Sequence, residues 1–208
     1  MTFNSDIDID FADRNDILQH IKYVAAHMKT TDGVKKHPTG VYVTNIPYDP
    51  IHDWAALEYK QAEDRNYIKL DFLNVWVYKH VRDENHLIKL MAEPNWSKLY
   101  DKEFFQSLIH IGEHYDTMRK MPEPINTIPR MAMFLAVIRP AKRHLIGKTW
   151  SEVNQTVWDK TDHDGYSFKK SHSISYAHLV VVHMNLIEEL GLHALDQRNA
   201  FTLNTSFA

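Results

Sequence analysis

One stretch limits the folds open to this chain: Ser5-Asp6-Ile7-Asp8-Ile9-Asp10-Phe11, where acidic and apolar residues alternate without a break. A period of two is a strand pattern. It sends Asp6, Asp8 and Asp10 to one face and Ile7, Ile9 and Phe11 to the other. Three like charges on one strand face repel, and such a face is tolerated where water solvates it or a divalent cation covers it. A second run, Tyr67-Ile68-Lys69-Leu70-Asp71-Phe72, also alternates and places Asp71 on the face of Lys69. With the two strands as neighbours, Asp71 completes a carboxylate cluster of the kind that holds two Mg²⁺ ions over a phosphoryl-transfer centre.

A length of 208 residues fits one domain, or one domain with a lobe. The apolar fraction of 44% is ordinary for a globular chain, so a sizeable core can be buried. The formal net charge of -3 gives no global basic field, and any contact with a polyanion must come from a local cluster. Cysteine is absent, which excludes disulfides and thiolate metal sites and fits a reducing compartment. The acidic, polar N-terminus does not read as a signal peptide, and no apolar run approaches a membrane span. The expected partners therefore exclude a membrane, and the expected location is the cytoplasm.

Asp13 reads as a helix N-cap, and Ile17, Ile21, Val24, Ala25 and Met28 fall at helical spacing. The spacing predicts a helix over 14–29 that closes at Thr31-Asp32-Gly33. Strands are expected at Val41–Val43, Trp54–Tyr59 and 67–72, with a proline-fixed loop over Asn45–Pro50. Helices are expected over 74–92, 102–119, 127–138, 150–160 and 173–190, punctuated by Pro94 and by Pro122 to Pro129. The tail after Gly191 is polar and weakly patterned. Three local basic clusters stand out: a loop at Lys35–Gly40; Arg139, Lys142, Arg143 and His144; and Tyr166-Ser167-Phe168-Lys169-Lys170-Ser171-His172. The last precedes a long helix, where phosphate is favoured. Together with the carboxylates they point to a triphosphate or a nucleic-acid backbone held near metal ions.

These motifs, in this order over about residues 5–180, resemble the catalytic core of the bacterial DNA polymerase III alpha subunit, the C family of polymerases. The run Ser5–Phe11 resembles the family's PDxDxDF strand. Lys36–Val43 is similar to a KHAGGVVI segment, and Ile68–Leu73 to the VKFDFLGL strand that carries a third aspartate. Ala136–Pro140 resembles ALYRPG, and Tyr166–Ala177 resembles GYGFNKSHAAAYA. The resemblance implies an α+β fold: a small mixed sheet of a truncated polymerase beta-like nucleotidyltransferase palm, with a helical fingers lobe. It implies a palm-like sheet and helix over 1–75 and a helical lobe over 76–165. The nucleotide-binding run, the long helix and the tail then occupy 166–208.

By the same resemblance Asp6, Asp8 and Asp71 are the catalytic, metal-holding residues, for two Mg²⁺ or Mn²⁺ ions. Asp10 matches the remaining acidic position of the strand. Lys69, Tyr166, Lys170 and His172, with His37 and Arg139, match positions that bind substrate. The implied reaction transfers a nucleotide from a dNTP to a primer 3′-hydroxyl on primer-template DNA. Departures accompany the match. Only four residues precede Ser5, so the family's Gly-Ser element is expected to be missing, and the thumb is expected to shrink to a turn. Ser167 and Lys169 replace a Gly and an Asn, and Pro38 and Thr39 replace small residues. Economy of size points to a phage-encoded relative acting in the host cytoplasm. Two alternatives stay open. One is a non-catalytic module that binds nucleotide, primer or a replication partner. The other is one half of a split polymerase whose protein partner supplies the missing elements.

Two further patterns compete for metal. His110-Ile111-Gly112-Glu113-His114 fits H-x-x-E-H, with both histidines on one helix face as zinc requires. Gly112 weakens that helix, and the polymerase resemblance already accounts for the surrounding chain. Asp162-His163-Asp164-Gly165 reads as a polar turn. The five tryptophans read as packing.

Overall fold

The computed structural model describes residues 7–159, 168–192 and 195. The chain is α+β and divides into two compact units, residues 1–81 and 82–208. Among the described residues no helix is long and apolar enough to cross a membrane.

The first unit is built on a small mixed sheet. Its elements are β1 (Ile7–Phe11), α1 (Arg14–Leu18), β2 (Val24–Thr30), β3 (Gly33–Tyr42), β4 (Tyr48–Asp49), β5 (Trp54–Ala55), α2 (Tyr59–Glu63) and β6 (Leu70–Asn74). A 3₁₀ turn over Trp76–His80 closes it. The main sheet has the order β1-β6-β3-β2, and β4 pairs with β5 apart from it. β1 and β6 run parallel, while β6–β3 and β3–β2 are antiparallel. Ile9 stands beside Phe72, and the rings of Phe11 and Phe72 lie 4.8 Å apart. That apolar face continues into the buried Ala25 and Val41. The opposite face, beyond β6, buries Ala26 and Tyr42 against Ala55 and Ala62, with Tyr59 packed alongside.

The helix expected over 14–29 does not form. α1 stops at Leu18, and Val24–Thr30 is a strand. Its partner is β3, with Val24 opposite Tyr42 and Thr30 opposite Gly33, so Thr31–Gly33 turns a hairpin instead of ending a helix. Val24 and Met28 satisfy both periods, and Ala25 only the helical one; the non-local ladder decides, since strand preference is set by neighbours across the sheet. The basic stretch Lys35–Gly40, expected as a loop, belongs to β3. The segment expected to be a thumb reduced to a turn, between the first helix and Lys36, is the tip of this hairpin. The Trp54–Tyr59 strand is shorter than expected, and Tyr59 opens a helix.

The second unit is helical: α3 (Glu84–Leu90), α4 (Lys102–Ser107), α5 (Tyr115–Arg119), α6 (Ile128–Val137), α7 (Trp150–Thr156) and α8 (Lys170–Leu190), with 3₁₀ turns between them. Every residue from Met131 to Val137 is buried, and α6 packs on α8, whose Val180, Val181, Val182, Met184, Leu186 and Ile187 are buried too. The helix expected over 74–92 is interrupted where Asp83 caps a fresh start by accepting from His86 N at 2.8 Å. The helix expected over 102–119 breaks after Ser107. There Ile109 N donates to the buried His183 Nδ1 at 3.1 Å, and His110 takes the left-handed conformation, φ 66°. Gly112 sits so close to the preceding turn that a Cβ would fall 2.4 Å from the Gln106 carbonyl oxygen. α8 begins at Lys170, three residues earlier than its apolar pattern indicates. The turn expected at Asp162–Gly165 lies outside the described residues, as does almost all of the tail after Gly191.

Candidate active site

Asp8 and Asp71 are register partners on the parallel pair β1–β6. Partners across a sheet project to the same face, so the two carboxylates share a side. Asp10 stands beside Leu73 on the same face, and the Tyr78 hydroxyl is pushed up by burial and then by the charge of Asp10. Asp6 lies outside the described residues. Asp8 is exposed, whereas Asp71 is 8% exposed. Burying an ionised carboxylate is costly unless it is paired and hydrogen-bonded, and Asp71 is both. Lys69, two residues back on the same face, forms an ion pair with Asp71 Oδ2. The Thr39 hydroxyl donates to Asp71 Oδ1 at 2.7 Å.

Thr39 reaches Asp71 because β3 is bulged. Between the pairs Ala25–Val41 and His27–Lys36, β2 contributes Ala26 alone and β3 contributes His37, Pro38, Thr39 and Gly40. Bulges re-aim side chains, and one that contains Pro38, which has no N–H, loses no ladder bond there. His37 holds the bulge closed. Its Nδ1 accepts from Gly40 N at 2.8 Å and from Thr39 N at 3.3 Å. That nitrogen is therefore an acceptor, and the ring proton belongs on Nε2. The 3.6 Å approach of His37 Nδ1 to Asp71 Oδ1 is accordingly not an ion pair, because a nitrogen whose lone pair accepts backbone N–H groups carries no proton to offer. The Tyr59 ring meets the His37 ring edge-on at 5.4 Å and lies 5.8 Å from Lys69 Nζ. Below them Tyr42 is fully buried, and its hydroxyl has no hydrogen-bond partner among the described residues. Its pKa is pushed up to about 12, by burial first and then by the charges of Glu58, Asp71 and Glu63.

Gly40, opposite Asp71 on β3, permits this convergence. A Cβ there would lie 2.8 Å from Lys69 Cδ, 2.9 Å from His37 Nδ1 and 3.1 Å from Ala26 Cβ. Lys69 can swing away, but His37 is anchored by the bulge and Ala26 by the core. Gly40→Ala is expected to cost about 1–3 kcal/mol in a urea titration, the usual range for overpacking. It should also displace the Lys69 ammonium from Asp71.

The remaining sequence-derived candidates lie in the second unit, and Tyr166 falls outside the described residues. Phe168 gathers two of them. The Arg139 guanidinium carbon stands 4.6 Å from the Phe168 ring centre, and the His172 ring is 6.1 Å from it. Phe168 stacks on Tyr176 at 5.2 Å, and Tyr176 in turn meets His110 at 4.3 Å. A guanidinium over an aromatic face is attracted by the ring quadrupole. Arg139 Nε is buried without a hydrogen-bond partner among the described residues. Lys170, in the first turn of α8, sits 5.9 Å from the Trp158 ring.

His110 and His114 do not share a helix: the first is in the left-handed turn, the second in a 3₁₀ turn. The face expected for zinc is therefore not formed. Desolvation, then the Arg139 charge, holds the His110 pKa below the ordinary value, yet the residue stays more than a third exposed, so solvent screens the stability consequence. Among the described residues no three His, Asp or Glu side chains form a metal-holding group.

Sequence pattern missed Thr39, Gly40, Tyr59 and Tyr176. A Thr-Gly pair after a proline was the available signal for the bulge; Tyr176 falls on the second Tyr of the GYGFNKSHAAAYA resemblance, and nothing local marks Tyr59. Compared with protein-family models, curated proteins and solved structures, the chain has no match in any of the three.

Proposed function

We propose that this chain is a minimal nucleotidyltransferase of the polymerase III alpha type, with a truncated palm in its first unit. It would transfer a nucleotide from a dNTP to a primer 3′-hydroxyl. The observation that carries the reading is the register: Asp8 and Asp71 stand side by side on parallel strands, facing the same way.

The donor set fits the implied ions. Carboxylate oxygens are what Mg²⁺ and Mn²⁺ take, and exposed Asp8 beside half-neutralised Asp71 offers such oxygens on one face. Asp8 and Asp71, with Asp6, would hold the ions, which supply charge to activate the hydroxyl and to neutralise departing pyrophosphate. Lys69 would act as the countercharge of Asp71 and turn toward phosphate oxygens when a cation takes its place. In the second unit Lys170, His172, Tyr166 and Arg139 would hold the triphosphate, with Phe168 fixing the plane of the Arg139 guanidinium. Phage origin, primer-template DNA as substrate and a protein partner that supplies missing elements belong to the same proposal.

One observation favours a second reading. The ion pair that satisfies Asp71 also blocks part of the metal site, as suits a module that binds nucleotide or a replication partner without chemistry. Single-nucleotide extension of a labelled primer separates the two, in Mg²⁺ and in Mn²⁺ at low salt, with and without replication extract. The nucleotidyltransferase reading expects addition that EDTA abolishes and either ion restores. Nucleotide binding without extension in every condition would leave the binding module.

A further inference from the structure

α1 and the β3 bulge enclose a cavity of about 280 Å³, lined by Arg14, Lys36, His37, Gly40 and Asn74 among others. By register Ala25 and Asn74 belong to the sheet face opposite Asp71, so the cavity shares the bulge with the carboxylate site but not its side of the sheet. Its lining contains two basic side chains, Arg14 and Lys36, and no Asp or Glu. In a chain of net charge -3 that is a local reversal of sign. The Arg14 guanidinium is set in place from both ends. Its backbone N donates to Asn74 Oδ1 at 2.7 Å, and its Nη1 donates to the Pro38 carbonyl. One of five donors is used to orient the fork; Arg forks of this kind match phosphate oxygens. Lys36 is half exposed and approaches Asp53 only at 3.9 Å, a loose pair that an incoming anion can replace.

We infer that this cavity is a phosphate-ester site, filled by a backbone phosphodiester of the nucleic-acid strand, with Arg14 and Lys36 as its ligands. Its volume of about 280 Å³ accommodates a phosphate group. The inference rests on the proposed function for the choice of nucleic acid. The charge, the polarity and the size stand without it.

The test compares wild type with Arg14→Gln, Lys36→Gln and the double variant, with Lys98→Gln in the second unit as a control. Anisotropy of a labelled primer-template duplex is read from low to moderate salt, and calorimetry is run with dATP and with inorganic phosphate. The expected result is at least a roughly tenfold weaker duplex affinity in the double variant. The slope of log K against log salt should also be shallower by roughly 0.9 for each phosphate that is no longer neutralised, with dATP binding unchanged. Weakening confined to dATP or inorganic phosphate keeps the phosphate site and assigns it to the free nucleotide. Unchanged binding of all three, matching Lys98→Gln, overturns the inference. Should Arg14→Gln melt early, Lys36→Gln carries the test alone, since that side chain is half in solvent. An inactive wild-type protein whose duplex binding still depends on Arg14 and Lys36 would sink the proposed chemistry and leave this site standing.

Discussion

The proposed nucleotidyl transfer expects Asp8→Ala and Asp71→Ala each to lower single-nucleotide addition by roughly three orders of magnitude or more, in Mg²⁺ and in Mn²⁺ alike. A missing metal-holding carboxylate forfeits at least what a missing oxyanion donor does, about 10²–10³-fold, because the charge that builds on the transferred phosphoryl group then goes unanswered. The two losses should not add. On that proposal both carboxylates serve one cluster, so removing the second after the first has little left to remove. Calorimetric titration with Mn²⁺ should show affinity falling in both variants. Metal affinity equal to wild type in either would separate Asp8 from Asp71 and end the two-metal reading of their shared face.

The same two substitutions should part company in stability. Asp71→Ala is expected to destabilise the protein by about 3 kcal/mol, because it strands a nearly buried ammonium. The Lys69 and Asp71 side chains are only 12% and 11% exposed, and Thr39 loses its acceptor as well. Asp8→Ala, at an exposed position, should stay within about 0.5 kcal/mol of wild type or gain slightly from relieved repulsion. Mutual repulsion of carboxylates taken alone predicts that either removal is neutral or stabilising; the Lys69 pair reverses the sign at Asp71. Urea unfolding followed by tryptophan fluorescence reads the difference. The double variant Lys69→Met/Asp71→Ala should recover most of the loss, since an apolar pair can replace a buried ion pair at little cost. No recovery would place the cost elsewhere than in the stranded charge.

Local pattern was sufficient for the acidic strand, whose period of two is strict. For β6 it gave the existence of the strand and not its bounds: the strand expected over 67–72 runs over Leu70–Asn74, and 67–69 lie outside it. It was sufficient too for α6, whose run of apolar residues lies between a Thr cap and the Arg139-Pro140 stop. It was not sufficient between residues 19 and 40. There Val24 and Met28 satisfy helical and extended spacing together, and the choice fell to the partner strand β3. Long helices were over-extended for a related reason. Ser107 to Gly112 reads as helix until Ile109 finds a histidine 74 residues further on.

The candidate site divides in the same way. Residue order was enough to place Asp8 and Asp71 each on an alternating strand, with Lys69 on the face of Asp71, because side-chain direction along a strand follows from the backbone alone. Only the pairing of distant segments made those strands parallel neighbours, which puts the two carboxylates side by side. Pairing also made β3 bulge over His37–Gly40. That bulge turns Thr39 onto Asp71, makes His37 Nδ1 an acceptor instead of a charged partner, and opens the Arg14–Lys36 cavity behind it. Such relations depend on register between segments far apart in the chain. Register is fixed by the packing of both sheet faces at once, and no local spacing encodes it.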